Sequence, residues 1–165
     1  MKKQPKNIIF DIRGVLFDYP EINWPEHLAK KAHINPFIPL EGFELLKALY
    51  HNPTNKHCSF YILSNFKPIP FLLLKKHFPE LEKIFTGIVV TGSCPYKKPD
   101  PRIFEYLMNA YGLIAQESIF IDDTQANVTV ANELGLQGVL WNPSTKVRDF
   151  LKKLNIGSEY SKKEV

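Results

Sequence analysis

One stretch decides the fold: residues 7–11, Asn-Ile-Ile-Phe-Asp, an apolar run that ends in a carboxylate. Similar short apolar runs follow at residues 59–63, 87–90, 118–121 and 137–141, with helical patterns between them. Short, continuously apolar strands that alternate with helices are typical of a parallel sheet covered by helices on both faces. We therefore predict an α/β fold, with a Rossmann-like parallel five-stranded sheet flanked by helices.

The helices are predicted from the spacing of apolar residues and from capping residues. They cover residues 25–32, 42–50, 70–77, 101–111, 125–134 and 145–154. For the helix at 101–111, Asp100 is expected as the N-cap, Pro101 as the first helical residue and Gly112 as the left-handed stop. No repeat or low-complexity segment interrupts this alternation, so residues 1–165 are interpreted as one domain with flexible ends at 1–6 and 157–165.

Composition and charge exclude several classes of protein. Hydrophobic residues make up 44% and charged residues 23% of the 165 residues, which excludes a disordered chain. The net charge is +4, but three lysines lie in residues 1–6, so the body of the domain is close to neutral. We therefore expect no nucleic-acid partner.

The cysteines and the apolar runs bear on the compartment. Cys58 and Cys94 lack the number and the spacing of a disulfide framework, which favours a reducing compartment. The apolar runs are short, such as residues 71–74, and none approaches the 18 or more residues of a membrane span. The sequence therefore predicts a cytoplasmic protein with no membrane partner.

Polar residues follow three of the predicted strands at the point where each strand ends. Asp11 follows the first strand, residues 64–65 (Ser-Asn) the second and residues 122–123 (Asp-Asp) the fourth. In an open parallel sheet the carboxyl ends of the strands form the ligand site, and converging carboxylates need a cation between them. Oxygen ligands of this kind suit Mg²⁺, and Lys98 precedes a helix from which it could reach the same crevice. Together these groups are typical of a phosphoryl-transfer site.

At four places the chain resembles the haloacid dehalogenase (HAD) superfamily of aspartate-nucleophile hydrolases. The first motif of that family corresponds to residues 10–18 (FDIRGVLFD) and the second to residues 62–65 (ILSN). The third corresponds to residues 98–104 (KPDPRIF) and the fourth to residues 120–127 (FIDDTQAN). The motifs occur in the expected order and the resemblance covers about residues 7–155, so it implies a HAD-like fold.

The resemblance implies a role for each residue that would handle the phosphoryl group. Asp11 corresponds to the nucleophile that forms an aspartyl-phosphate. Ser64 and the backbone N–H of Asn65 correspond to the groups that hold the phosphoryl oxygens. Lys98 corresponds to the cation that neutralises charge on Asp11 and on the transferring group.

The resemblance also implies a magnesium site. Asp11 and Asp123 would ligate Mg²⁺ through their carboxylates, Arg13 through its backbone carbonyl, and Asp122 through a metal-bound water. The expected cofactor is therefore Mg²⁺, and the expected partner is a phosphorylated substrate.

Arg13 departs from the family pattern, because phosphatases of the family carry an aspartate there that protonates the leaving group and then activates water. An arginine has no acceptor and a pKa above about 12, so it does neither. Its guanidinium could pair with Asp11, bind a substrate phosphate or carboxylate as a clamp, or form a structural ion pair. We group Arg13 with Asp11 and Lys98 as a catalytic candidate.

The second departure is the size of the cap, the helical insert with which many family enzymes cover small substrates. Here residues 19–41 leave room for one short helix and a loop, so the cap is minimal or absent. An open crevice suits a macromolecular substrate or a lid from a partner subunit.

These features leave two hypotheses. The first is a Mg²⁺-dependent phosphohydrolase with low or specialised activity on an unidentified substrate. The second is a catalytically impaired protein that binds phosphate or Mg²⁺ as a binding or regulatory module.

Overall fold

The structure is a computed structural model, and it describes residues 5–20, 35–144 and 146–154. The predicted helix at 25–32 and most of both predicted flexible ends lie outside the described residues. The strands are β1 (Asn7–Phe10), β2 (Phe17–Asp18), β3 (Ile38–Pro39), β4 (Ser59–Ser64), β5 (Phe85–Val90), β6 (Ser118–Asp122) and β7 (Gln137–Leu140). The helices are α1 (Glu41–His51), α2 (Pro68–His77), α3 (Leu81–Ile84), α4 (Pro101–Tyr111), α5 (Gln125–Glu133) and α6 (Val147–Leu154).

Five strands form one parallel sheet in the order β5-β4-β1-β6-β7, with β1 at its centre. Phe10 is in register with Ile62 of β4 and with Ile121 of β6. The backbone N–H of Asp11 continues this ladder by donating to the carbonyl of Ile121 at 2.9 Å. The three strands therefore end at one edge of the sheet, where their polar residues meet.

Apolar side chains cover both faces of this sheet. Ile8 and Phe10 are buried on the face that packs against α1, α2 and α6, and Ile9 is buried on the face that packs against α4 and α5. Because alternate residues of β1 point to opposite faces and both faces are covered, the three buried residues 8–10 of the strand are all apolar. The predicted fold class, an α/β protein with a parallel five-stranded sheet, is confirmed.

The element boundaries agree with the sequence patterns to within about two residues, and the caps of α4 are those predicted. The Asp100 side chain accepts a hydrogen bond from the Arg102 backbone N–H at 2.9 Å, and Gly112 ends the helix with φ +65°. The sequence patterns missed the antiparallel pair of two-residue strands, β2 and β3, and the single turn α3, because such short elements lack a hydrophobic period. Among the described residues, no helix is both long and apolar enough to cross a membrane.

Helix α1 lies directly against the loop that follows β1. A Cβ atom built on Gly42 would lie 2.2 Å from the backbone carbonyl oxygen of Val15, and the backbone N–H of Leu40 donates to the carbonyl of Leu16 at 3.0 Å. The glycine is therefore required by the approach of the helix to this loop.

We expect Gly42→Ala to lower the free energy of unfolding by about 1–3 kcal/mol, because the added methyl group collides with backbone atoms. The usual effect in a helix is the opposite, a gain of up to about 1 kcal/mol. Urea denaturation measures the difference, with the exposed neighbour Glu41→Ala as a control. A Gly42→Ala protein more stable than the wild type would contradict this packing.

Candidate active site

The loop after β1 places the first group of site residues. The carbonyl of Ile12 accepts hydrogen bonds from the backbone N–H groups of Leu16 and Phe17, at 2.9 and 3.0 Å, so the chain turns immediately after Asp11. Gly14 has φ +77° in this turn, and a Cβ atom built on it would lie 2.0 Å from Oδ2 of Asp123. A side chain at position 14 would therefore displace the carboxylate of Asp123.

A buried lysine joins two of the strand ends. Nζ of Lys98 lies 2.9 Å from Oδ1 of Asp11 and donates a hydrogen bond to Oδ2 of Asp122 at 2.5 Å. The Lys98 side chain is 1% exposed, and its ammonium lies over the ring of Phe120, 5.3 Å from the centroid. An ammonium so deeply buried requires partners of opposite charge, and the two carboxylates supply them.

The backbone of Lys98 is fixed by the end of β4. The Asn65 side chain accepts from the Lys98 N–H at 2.8 Å and donates to the Lys98 carbonyl at 2.9 Å. On the far side of the loop, Arg102 pairs with Asp100 and lies over the ring of Tyr96, 4.6 Å from the centroid. The Arg102 hydrogen bonds lower the pKa of Asp100 to about 2, so this cap keeps its charge well into acid.

The two adjacent aspartates after β6 have different surroundings. Asp122 is fully buried and accepts hydrogen bonds from Lys98, from the Asn127 side chain and from the Thr124 backbone N–H. Asp123 is exposed at the surface of the site, where its Oδ1 accepts from the Thr124 hydroxyl at 3.2 Å. Asp122 is therefore part of the framework, whereas Asp123 is open to a ligand.

Asp11 is the buried carboxylate with the least complete set of donors. Its buried Oδ1 forms an ion pair with the Lys98 ammonium at 2.9 Å and accepts no hydrogen bond from any other described donor. Burial is the largest effect and raises the pKa of Asp11, and the Asp122 carboxylate also raises it. The positive charge of Lys98 and a hydrogen bond from Ser64 lower it. The net effect of these groups is a raised pKa.

The carboxylates of this site fit a divalent cation. One oxygen from each of Asp11, Asp122 and Asp123 lies within 4.8 Å of the others, and the buried Lys98 ammonium pairs with the first two of these carboxylates. Burial raises the pKa of Asp123, and the neighbouring Asp122 carboxylate raises it further. The unsatisfied oxygen of Asp11 and the exposed carboxylate of Asp123 are hard ligands of the type that Mg²⁺ takes.

Arg13 lies at the surface of the same site. Its side chain is exposed, and its guanidinium lies over the ring of Tyr19, 5.1 Å from the centroid. Tyr19 in turn packs against Phe66 and Phe37, at centroid distances of 4.8 and 5.7 Å. The aromatic cluster of Tyr19, Phe37 and Phe66 therefore supports the guanidinium.

These groups open onto one cleft of about 670 Å³. Six of the seven residues proposed from the sequence line it, namely Asp11, Arg13, Ser64, Asn65, Lys98 and Asp123, and the seventh, Asp122, lies buried behind Lys98. Their individual roles remain predictions.

The cleft also contains residues that the sequence reasoning did not propose. They are Asp18, Tyr19, Leu40, Phe66, Thr124, Asn127 and Pro143. A signal existed for Asn127, which lies five residues after Asp122 in the first turns of α5 and therefore faces back to the strand end. Tyr19 directly follows β2 and Leu40 directly follows β3, and these two-residue strands have no periodic sequence pattern by which they could be predicted.

The fold and the site define an α/β protein with an acidic, lysine-containing cleft at the carboxyl ends of its parallel strands. A family model described as haloacid dehalogenase-like hydrolase matches residues 74–140. This part of the chain is therefore similar to the haloacid dehalogenase-like hydrolases.

Solved structures share the fold over nearly the whole chain. A predicted HAD-like family hydrolase from Porphyromonas gingivalis has a TM-score of 0.71 at 18% identity, covering 93% of this chain and 98% of that one. A HAD family enzyme from Bacteroides thetaiotaomicron, crystallised with magnesium and inorganic phosphate, has a TM-score of 0.67 at 20% identity, covering 86% of this chain and 96% of that one.

Curated relatives match a shorter stretch. A phosphoglycolate phosphatase from Pseudomonas putida is 32% identical over 60 residues, 36% of this chain. Acyl-CoA dehydrogenase family member 10 from Mus musculus is 39% identical over 64 residues, 37% of this chain. The matches span 22% and 6% of the lengths of these two relatives.

The contrast between the adjacent aspartates can be tested by stability. We expect Asp122→Asn to lower the free energy of unfolding by about 2–4 kcal/mol, because the amide would leave Lys98 and the other donors poorly paired inside the protein. The exposed Asp123→Asn should change it by less than about 1 kcal/mol. Urea denaturation without divalent cations measures both, and equal losses would contradict this division.

Proposed function

We propose that this protein is a Mg²⁺-dependent phosphohydrolase that acts through an aspartyl-phosphate at Asp11. The observation that carries the proposal is the buried Lys98, which pairs with Asp11 and Asp122 at the strand ends and faces the cleft beside Ser64. A structural ion pair alone would not require a third carboxylate, Asp123, within 4.8 Å of the other two. The free cysteines Cys58 and Cys94 support a cytoplasmic location as part of this proposal.

The proposed magnesium site uses the residues that the carboxylate geometry favours. Asp11 and Asp123 would hold the ion through carboxylate oxygens, Arg13 through its backbone carbonyl, and Asp122 through a bound water. When bound, Mg²⁺ neutralises negative charge on the carboxylates and on the phosphate.

In the proposed reaction an oxygen of Asp11 attacks phosphorus, and the bond between phosphorus and the leaving-group oxygen breaks. Lys98 stabilises the ionised form of Asp11 before attack and the negative phosphoryl oxygens during it. The Ser64 hydroxyl and the Asn65 backbone N–H hold those oxygens. Water then hydrolyses the aspartyl-phosphate, which releases inorganic phosphate and regenerates Asp11.

Arg13 sets the limits of this chemistry, since it offers no proton to the departing oxygen and no base to the attacking water. It also supports the second candidate function, a catalytically impaired module that binds phosphate or Mg²⁺. We propose the enzyme first, because the nucleophile, the lysine and the acidic residues are together at the cleft.

The substrate is proposed to carry a phosphate group, with a macromolecular body or a partner subunit that covers the cleft. Asp18 of strand β2 lies at one border of the cleft. Tyr19 directly follows β2 in the sequence, Leu40 directly follows β3, and both also line the cleft. Most of the reduced cap at 19–41 lies outside the described residues.

Mg²⁺ should raise the thermal unfolding midpoint of the wild type, because it binds the folded form through converged carboxylates. Asp123→Asn should remove most of that rise, whereas the exposed Asp149→Asn on α6 should keep it. Thermal scans with millimolar MgCl₂, against NaCl at the same ionic strength, measure the effect. A wild-type midpoint indifferent to Mg²⁺ would count against the metal site.

The phosphatase activity is tested with substrates that differ in their leaving groups. Without an acid at position 13, we expect an activated aryl phosphate to be hydrolysed at least about a hundredfold faster than an alkyl phosphate, given the usual size of acid–base assistance. Steady-state rates with Mg²⁺ measure the ratio, and Asp11→Asn should abolish both activities.

Equal rates on both substrates would mean that another residue supplies the proton. A protein that binds Mg²⁺ and phosphate but turns over neither substrate would support the binding module instead.

A further inference from the structure

We propose that Arg13 binds a second anionic group on the leaving-group side of the substrate. The substrate class is then phosphate monoesters whose alcohol portion carries a carboxylate or another phosphate. This inference rests on the proposed function, because it assigns a position to the group that departs when Asp11 attacks.

The first support is the position of the two cations of the cleft. Of the described residues that line it, Lys98 and Arg13 carry positive charge. Lys98 is 1% exposed and lies between Asp11 and Asp122, whereas the Arg13 side chain is exposed. The cleft therefore holds one cation at its base, committed to carboxylates, and a second cation at its surface.

The second support is the direction in which a leaving group departs. In phosphoryl transfer the attacking and leaving oxygens are roughly in line, so the leaving group lies on the side of phosphorus away from Asp11. Asp11 is buried at the sheet edge, and the exposed part of the cleft contains Arg13 together with Tyr19. The departing group therefore lies toward the exposed side of the cleft, to which Arg13 belongs.

The third support is the way in which the guanidinium is held. It lies over the face of Tyr19, 5.1 Å from the centroid, and Tyr19 packs against Phe66, which is 2% exposed. A cation–π contact restricts the guanidinium, and a guanidinium held in this way loses less freedom when it binds an oxyanion. The fork of N–H groups at its edge matches either a carboxylate or a phosphate.

One charge opposes this arrangement. Asp18 lines the same cleft, and its Oδ1 accepts a hydrogen bond from the Tyr19 backbone N–H at 2.8 Å. Its carboxylate repels a second anion near Arg13, so Asp18→Asn should strengthen anion binding while Arg13→Gln weakens it. Changes in opposite directions at two neighbouring positions would not result from a general disturbance of the fold.

The experiment uses two pairs of probes that differ in one charge. For turnover, 4-carboxyphenyl phosphate is compared with 4-carbamoylphenyl phosphate, which has a similar shape but a neutral amide. For binding without turnover, 4-carboxybenzylphosphonate is compared with 4-carbamoylbenzylphosphonate by titration calorimetry. Turnover and binding are measured with Mg²⁺ for the 165-residue wild type, Arg13→Gln, Asp18→Asn and the exposed control Arg148→Gln. An analogue with a phosphonomethyl group in place of the 4-carboxylate is measured beside the carboxylate probe. The tighter binder of the two shows whether a phosphate or a carboxylate is the preferred second anion.

We expect the wild type to bind the charged phosphonate at least about tenfold more tightly than the amide, the usual size of one charge-assisted contact. The same preference should appear in KM for the charged phosphate ester. Arg13→Gln should lose the preference by weakening the charged member alone, and Arg148→Gln should keep it.

Equal binding of the two phosphonates by the wild type would overturn the proposal. An Arg13→Gln variant that binds the charged and the neutral phosphonate more weakly by the same factor would also overturn it. These results leave the proposed function intact if the phosphate esters are hydrolysed. A charged phosphonate preferred through Arg13 by a protein that hydrolyses no ester would refute the proposed phosphatase but support this site.

Discussion

The buried ammonium of Lys98 is the interaction on which the rest of the site depends. It lies between the carboxylates of Asp11 and Asp122, so it joins the end of the central strand to the end of its neighbour β6. Its own backbone is held by Asn65 at the end of β4, which ties the third strand to the same point. Removing either carboxylate would leave the lysine buried with fewer partners, which is costly in a low-dielectric interior. The ion pairs that hold the strand ends together are therefore the same ones that orient the proposed nucleophile.

Much of this arrangement could be predicted from the sequence, because it depends on short-range patterns. A short apolar run that ends in a polar residue predicts a strand and places that residue at the strand's carboxyl end. Because parallel strands end at the same edge of the sheet, the sequence alone was enough to place Asp11, Ser64 and Asp122 together. The partners of those residues could not be predicted in the same way. That the Asn65 side chain would bind the Lys98 backbone depends on how two loops 33 residues apart meet in space. The antiparallel strand pair β2–β3 was not predicted, because two-residue strands have no detectable period. For the same reason Asp18, Tyr19 and Leu40 were missed as cleft residues.

Burial separates the functions of two adjacent and chemically identical residues. Asp122 is fully buried and its carboxylate accepts hydrogen bonds from Lys98, Asn127 and Thr124, so in the proposed site it would reach the metal only through a water. Asp123 emerges at the cleft because Gly14 leaves space for its carboxylate, which would collide with any larger residue there. The loop that carries the proposed nucleophile therefore also determines the position of the proposed metal ligand, through the absence of one methyl group.

Arg13 connects the turn after Asp11 to the chemistry that the cleft can support. Exchanging a carboxyl for a guanidinium removes a group that could transfer protons and adds one that binds oxyanions. In an acidic cleft the added positive charge also reduces the repulsion that a negatively charged substrate meets on approach. In the proposed enzyme the cost would be a slower departure of basic leaving groups, and the benefit would be selection for substrates with a second anion. A leaving group that carries its own carboxylate near Arg13 would have its developing negative charge partly compensated by the guanidinium, without any proton transfer. The same side chain would then compensate in part for the missing acid, and only for substrates that can reach it.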